Sequence, residues 1–85
     1  MIQVLEAGME HNKEEGYVGR VAFQVENHKL PYEITLFSKS GRDWGYGLFF
    51  WKESGSEEQI EEVEELLEDN DELFELLVNA AKAKL

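Results

Sequence analysis

Residues 17–38 read YVGRVAFQVENHKLPYEITLFS, and the parity of this stretch decides the fold. Tyr17, Val21, Phe23 and Val25 fall on one side of an extended chain, with Arg20, Gln24 and Glu26 on the other. That period of two predicts a half-buried strand over residues 17–25. Residues 30–38 repeat the pattern, with Leu30, Tyr32, Ile34 and Leu36 set against Glu33, Thr35 and, just beyond, Lys39. A two-residue turn at Asn27 and His28, with asparagine accepting positive φ, pairs Glu26 with Lys29. The register then sets Phe23 opposite Tyr32 and Val21 opposite Ile34, so both apolar sides coincide.

Downstream, residues 44–52 form a third strand, with Trp44, Tyr46, Leu48 and Phe50 inward and Gly45, Gly47, Phe49 and Trp51 outward. A three-residue loop over residues 41–43 places Phe37 opposite Gly47 and Lys39 opposite Gly45, where a ring can lie over a position without a side chain. Upstream, Ile2 and Val4 alternate against Gln3 and Leu5, a fourth strand over residues 2–7. Residues 8–16 read as a polar connection.

Composition changes at Gly55. Six of the seven glycines and the single proline precede it, so no breaker follows. Ser56 with Gln59 three residues on is a capping-box pattern, and Glu57 and Glu58 suit the positive end of a helix. Apolar residues recur at Ile60, Val63, Leu67, Phe74, Leu77 and Ala81, with Asn70 in the gap. Two organisations fit: one helix of about 28 residues, or two helices broken at Asp69-Asn70-Asp71. The unbroken helix would run about 42 Å, longer than the sheet needs, which favours the break, with Asp71 capping the second helix. The expected fold is α+β: an antiparallel β-meander of three to four strands followed by one or two C-terminal amphipathic helices packed on one sheet face. At 85 residues the chain is one domain, with residues 1–53 its sheet portion and residues 56–84 its acidic helical portion.

The formal net charge is -11 at pH 7, and it is unevenly placed. Eleven of the nineteen acidic residues lie from Glu57 to Glu75 with no lysine or arginine among them, which leaves eight acids against six bases in residues 1–56. Glu57 and Glu61, Glu58 and Glu62, Glu61 and Glu65, and Glu64 and Glu68 are like-charge pairs four apart, each costing a helix about 0.2–0.5 kcal/mol. A solvated face that keeps the chain dispersed explains them, and so does a surface that steers a basic protein partner. Glu58, Glu61, Glu62 and Glu65 are the candidate acidic contacts.

The outward aromatic residues Phe37, Phe49 and Trp51 form the second candidate surface. With Arg20, Lys39 and Lys52 nearby they suit stacking of single-stranded bases, the alternative function, or burial in a homodimer. The net charge disfavours nucleic acid, because the phosphate interaction is repulsive away from those bases.

No catalytic constellation is legible. The chain has no cysteine, hence no thiolate nucleophile or cysteine metal site. His11 falls in the first connection and His28 in a turn, without ligand spacing, and both are expected as surface histidines. Asp69-Asn70-Asp71 lacks the later ligands and glycine of a calcium loop and reads as a helix junction. The serines lack a nucleophile elbow, and Gly41, Gly45 and Gly47 lack the Gly-Lys-Ser/Thr ending of a phosphate loop. We therefore expect a non-enzymatic protein-interaction module with no cofactor and no metal. An acid near the N-terminus and the lack of an apolar run of about 18 residues lead to the expectation of a soluble, cytoplasmic chain without membrane contact.

Overall fold

The structure, a computed structural model, describes residues 2–85. Four strands, β1 (Ile2–Asn12), β2 (Gly16–Val25), β3 (Tyr32–Ser38) and β4 (Gly45–Phe50), form one sheet in the order β1-β2-β3-β4. All neighbours are antiparallel. Two helices follow, α1 (Glu57–Asp69) and α2 (Asp71–Lys82), packed on one face, so the α+β architecture read from the sequence is the architecture found. No helix among the described residues is long and apolar enough to cross a membrane.

In the central hairpin Val21 pairs with Ile34 and Phe23 with Tyr32, as the alternation requires. The turn is placed differently. His28 N–H donates to the Val25 carbonyl (3.0 Å), and Asn27, with φ 71°, is the third residue of that turn rather than the first of a two-residue loop. The ladder closes at Phe23–Tyr32, so Glu26 and Lys29 are not opposed. Pro31 has no N–H to extend it, and its carbonyl instead accepts from Trp51 N–H (3.1 Å).

β1 is longer than expected and includes most of the supposed polar connection. It reaches Asn12, whose Oδ1 accepts from Glu14 N–H (2.8 Å) and folds residues 13–15 into the turn that Gly16 closes. The alternation that stopped at Val4 resumes in the other parity. Val4 pairs with Phe23 and Ala7 with Val21, and the register shifts between Val4 and Glu6. Leu5 is thus a β-bulge, and it lets Ile2 and Val4 share the helix-facing side with Ala7, Met9 and His11. The His11 ring accordingly lies 4.4 Å from that of Tyr17, tilted by 36°.

The β3–β4 register differs by two residues from the expected one. Phe37 faces Gly45 and Thr35 faces Gly47, because residues 39–44 make a longer loop than three residues. Side-chain parity survives a shift of two, so the inward set Tyr46, Leu48 and Phe50 is unchanged.

Ser56 Oγ accepts from Gln59 N–H (3.2 Å) to start α1, while the Gln59 amide oxygen accepts from Lys29 N–H (3.3 Å) and ties the helix to the central loop. Asn70, not Asp71, caps α2. Its N–H donates to the Leu66 carbonyl (2.9 Å), ending α1, and its Oδ1 accepts from Leu73 N–H (3.2 Å), starting α2. An unbroken helix would have outrun the molecule's 38 Å long axis. The core contains Val21, Phe23, Tyr32, Ile34 and Leu36 from the sheet with Ile60, Val63, Leu67, Leu77, Val78 and Ala81 from the helices. At Gly19 a Cβ would stand 3.3 Å from that of Ala81 and 2.7 Å from Met9 Cε, so the absence of a side chain lets α2 approach β2.

Candidate functional site

The sheet separates the two candidate surfaces. Glu58, Glu61, Glu62 and Glu65 are exposed on α1, on the helical side, whereas Phe37, Phe49 and Trp51 occupy the opposite face of the sheet. They do not form one site.

On the outer face Phe37 is 49% exposed and Phe49 54%, with Val18 also open to solvent beside Phe37. The Phe37 ring covers Gly45, where a Cβ would collide with it, and the Phe49 ring lies 2.9 Å from a Cβ built at Gly47. The glycines thus give each ring a seat on the backbone. Trp51 is less exposed than either phenylalanine. It lines a shallow depression of about 310 Å³ with Glu6, Arg20, Ala22, Glu33 and Lys52, and the Lys52 ammonium lies 4.4 Å over its ring. Arg20, which lines the same depression, approaches Glu33 at 3.9 Å, so that base already faces a carboxylate.

His28 is not a surface histidine. Its side chain is 10% exposed, held between Glu62 Oε2 (3.3 Å from Nε2) and the Tyr32 hydroxyl (2.7 Å from Nδ1). With Nε2–H donating to the carboxylate, Nδ1 is the acceptor for the Tyr32 O–H. The order carboxylate, imidazole, hydroxyl resembles a nucleophile relay, but the Tyr32 side chain is fully buried and no substrate can reach its oxygen. The contact instead pins the loop of residues 26–31 to α1, beside the Lys29–Gln59 hydrogen bond. Sequence spacing could not reveal it, since Glu62 lies 34 residues from His28 and only packing brings them together. His11, by contrast, is exposed as expected.

Burial pushes the Tyr32 phenol above its ordinary value of 10.0, and the Glu62 charge adds to the shift. Tyr46 is raised as well, by burial first and then by Glu68 and Glu64. The folded state therefore favours the neutral phenols, a stabilisation fully present below pH 10 and lost as pH rises through the elevated folded values. By tyrosinate absorbance, with circular dichroism to follow the fold, two tyrosines should ionise above their ordinary value. Glu62→Gln should shift Tyr32 partway down, leaving the effect of burial. Ionisation of both at their ordinary value in a still-folded chain would contradict this.

Two of the clefts along the helices differ in their lining. The larger, about 620 Å³, runs between the loop of residues 41–44 and α2 and carries both signs of charge, Arg42 and Lys82 with Asp43, Asp71 and Glu75. Lys82 Nζ lies 5.7 Å from the Trp44 ring there. The second, about 380 Å³, opens at the corner between α1 and α2. Ile2 and Val25, paired across β1 and β2, line it together with Leu66, Leu73 and Leu76. Leu66 is 44% exposed and Leu76 48%. Leu66 also borders a depression shared with Glu62, Glu65 and Asp69, and Glu72 lines the cleft itself. Sequence periodicity singled out neither leucine, because both lie off the core stripe. The doublets Leu66-Leu67 and Leu76-Leu77 were the available signal, each holding one leucine more than a single helix face can bury.

Among the described residues no three His, Asp or Glu side chains are arranged to hold a metal ion. Comparison with protein-family models, with curated protein sequences and with solved structures finds no match for this chain.

Proposed function

We propose that this protein is a non-enzymatic interaction module that binds a basic protein partner through its helical layer. The supporting observation is the exposed row Glu58, Glu61, Glu62 and Glu65 on α1, with no lysine or arginine between Glu57 and Glu75 to neutralise it. Such a surface attracts a cationic partner from a distance and loses it as salt rises.

The test is titration with a fluorescent lysine- and arginine-rich peptide against the wild type and a Glu58→Gln, Glu61→Gln, Glu65→Gln variant. Glu62 is left in place because it also holds His28. At about 0.5 kcal/mol for each exposed pair, the triple change should weaken binding about tenfold. Affinity that ignores both salt and the three substitutions would end this reading.

A second reading attaches to the outer face, where the seated and half-exposed Phe37 and Phe49 favour an apolar contact. Self-association of two copies through this face would keep the acidic helices on the outside of the pair. Stacking of a single-stranded oligonucleotide is the alternative use of the same rings. Sedimentation of a Phe49→Glu variant distinguishes dimerisation, and fluorescence quenching of Trp51 by an oligonucleotide distinguishes stacking.

A further inference from the structure

Leu66 and Leu76 present a physical oddity that net acidity does not explain. Each is about half exposed, Leu66 lies among Glu62, Glu65 and Asp69 while Leu76 shares its cleft with Glu72, and the two converge on that cleft. A solvated face has no use for two open leucines. A purely electrostatic surface has none either.

The corner geometry accounts for the cleft. The one-residue link at Asn70 is extended (φ -124°, ψ 94°), so α1 and α2 diverge there. Leu66, four residues before the link, and Leu73, three after it, flank the corner, and Leu76 extends the apolar wall along α2. The Ile2–Val25 pair supplies apolar lining from the end of the sheet. Charge surrounds this lining on the helical sides: Glu62, Glu65 and Asp69 beside Leu66, and Glu72 within the cleft.

From this combination we infer that the corner cleft is the docking site for a basic amphipathic helix, whose apolar side chains enter between Leu66 and Leu76 while its lysines or arginines meet the carboxylate rim. The inference rests on the proposed interaction role and specifies its site and the partner's chemistry. Complementarity selects the occupant. An acidic helix would be repelled by the rim, and a basic segment without apolar residues would leave the leucines in water. A partner helix with apolar residues spaced three and four apart presents the narrow stripe that the cleft can take.

The experiment uses two synthetic helical peptides of equal positive charge, one with leucines at helical spacing and one with those leucines replaced by glutamine. They are titrated against the wild type and a Leu66→Gln, Leu76→Gln variant, whose exposed substitutions are checked by thermal melt. The leucine peptide should bind the wild type at least about tenfold more tightly than the glutamine peptide, and the double variant should abolish that difference. Methyl resonances of Ile2, Val25, Leu66, Leu73 and Leu76 should shift on binding. Equal, salt-sensitive binding of both peptides to the wild type would overturn the cleft while leaving the basic-partner reading intact. No binding of either would remove both. Methyl shifts confined to Val18 on the outer face, or self-association that the leucine substitutions abolish and the peptide does not compete with, would assign a different site or occupant and overturn the inference.

Discussion

Replacing Leu77 with alanine should cost about 2–5 kcal/mol, while the same replacement one residue earlier, at Leu76, should cost well under half as much. Leu77 is fully buried on α2 among the residues that join helices to sheet, and truncation leaves a cavity the core can only partly close. Leu76 already has about half its surface in water. For a chain of this length, total stability on the order of 4–13 kcal/mol makes the Leu77 loss a large fraction of the whole. Urea denaturation of the two variants checks the contrast, and equal losses would mean that α2 presents a different face. The same comparison bears on the corner cleft: a leucine that contributes little to folding is available for binding.

Gly16→Ala should be nearly as damaging. Gly16 has φ 84°, a conformation that costs a side-chain-bearing residue about 1–3 kcal/mol. Space is also lacking, because a Cβ would lie 2.5 Å from the Ser38 carbonyl oxygen and 2.6 Å from Lys39 Cα, both backbone atoms of the neighbouring strand end. The β1–β2 turn and the end of β3 must therefore separate to admit a methyl group. With about 4–8 °C of melting temperature per kcal/mol in a domain of this size, the variant should melt at least about 10 °C lower. Gly8→Ala is the control, since nothing lies within 4 Å of a Cβ there and its backbone is ordinary. A Gly16→Ala protein that melts like the control would contradict the turn geometry.

The pattern of what the sequence revealed follows from the range of each interaction. Val21, Phe23, Ile34 and Leu36 made the central pairing legible because parity is a local property, and the apolar gap at Asn70 marked the helix break for the same reason. Features that depend on an inserted residue or on distant packing were not legible. Leu5 interrupts the alternation of β1, so its second half resembled a loop and Met9 was missed as a core residue. The β3–β4 register slipped by two because parity is blind to even shifts, and loop length was the only other guide. The candidate aromatic residues do share a face, but Trp51 is held against the sheet and Phe37 and Phe49 carry most of the exposure. His28 acquired its partners from an element far along the chain, and the corner cleft exists only once two helices and two strand ends meet.

The bulge at Leu5 also changes the outer rim of the molecule. β1 is an edge strand of eleven residues, long enough to invite a foreign chain to continue the ladder. Without the extra residue, Ile2, Val4, Ala7, Met9 and His11 would fall in unbroken alternation and the edge would be straight. The inserted residue twists and interrupts that row of amide and carbonyl groups, so the longest free border of the sheet is also a poor template for amyloid-like growth.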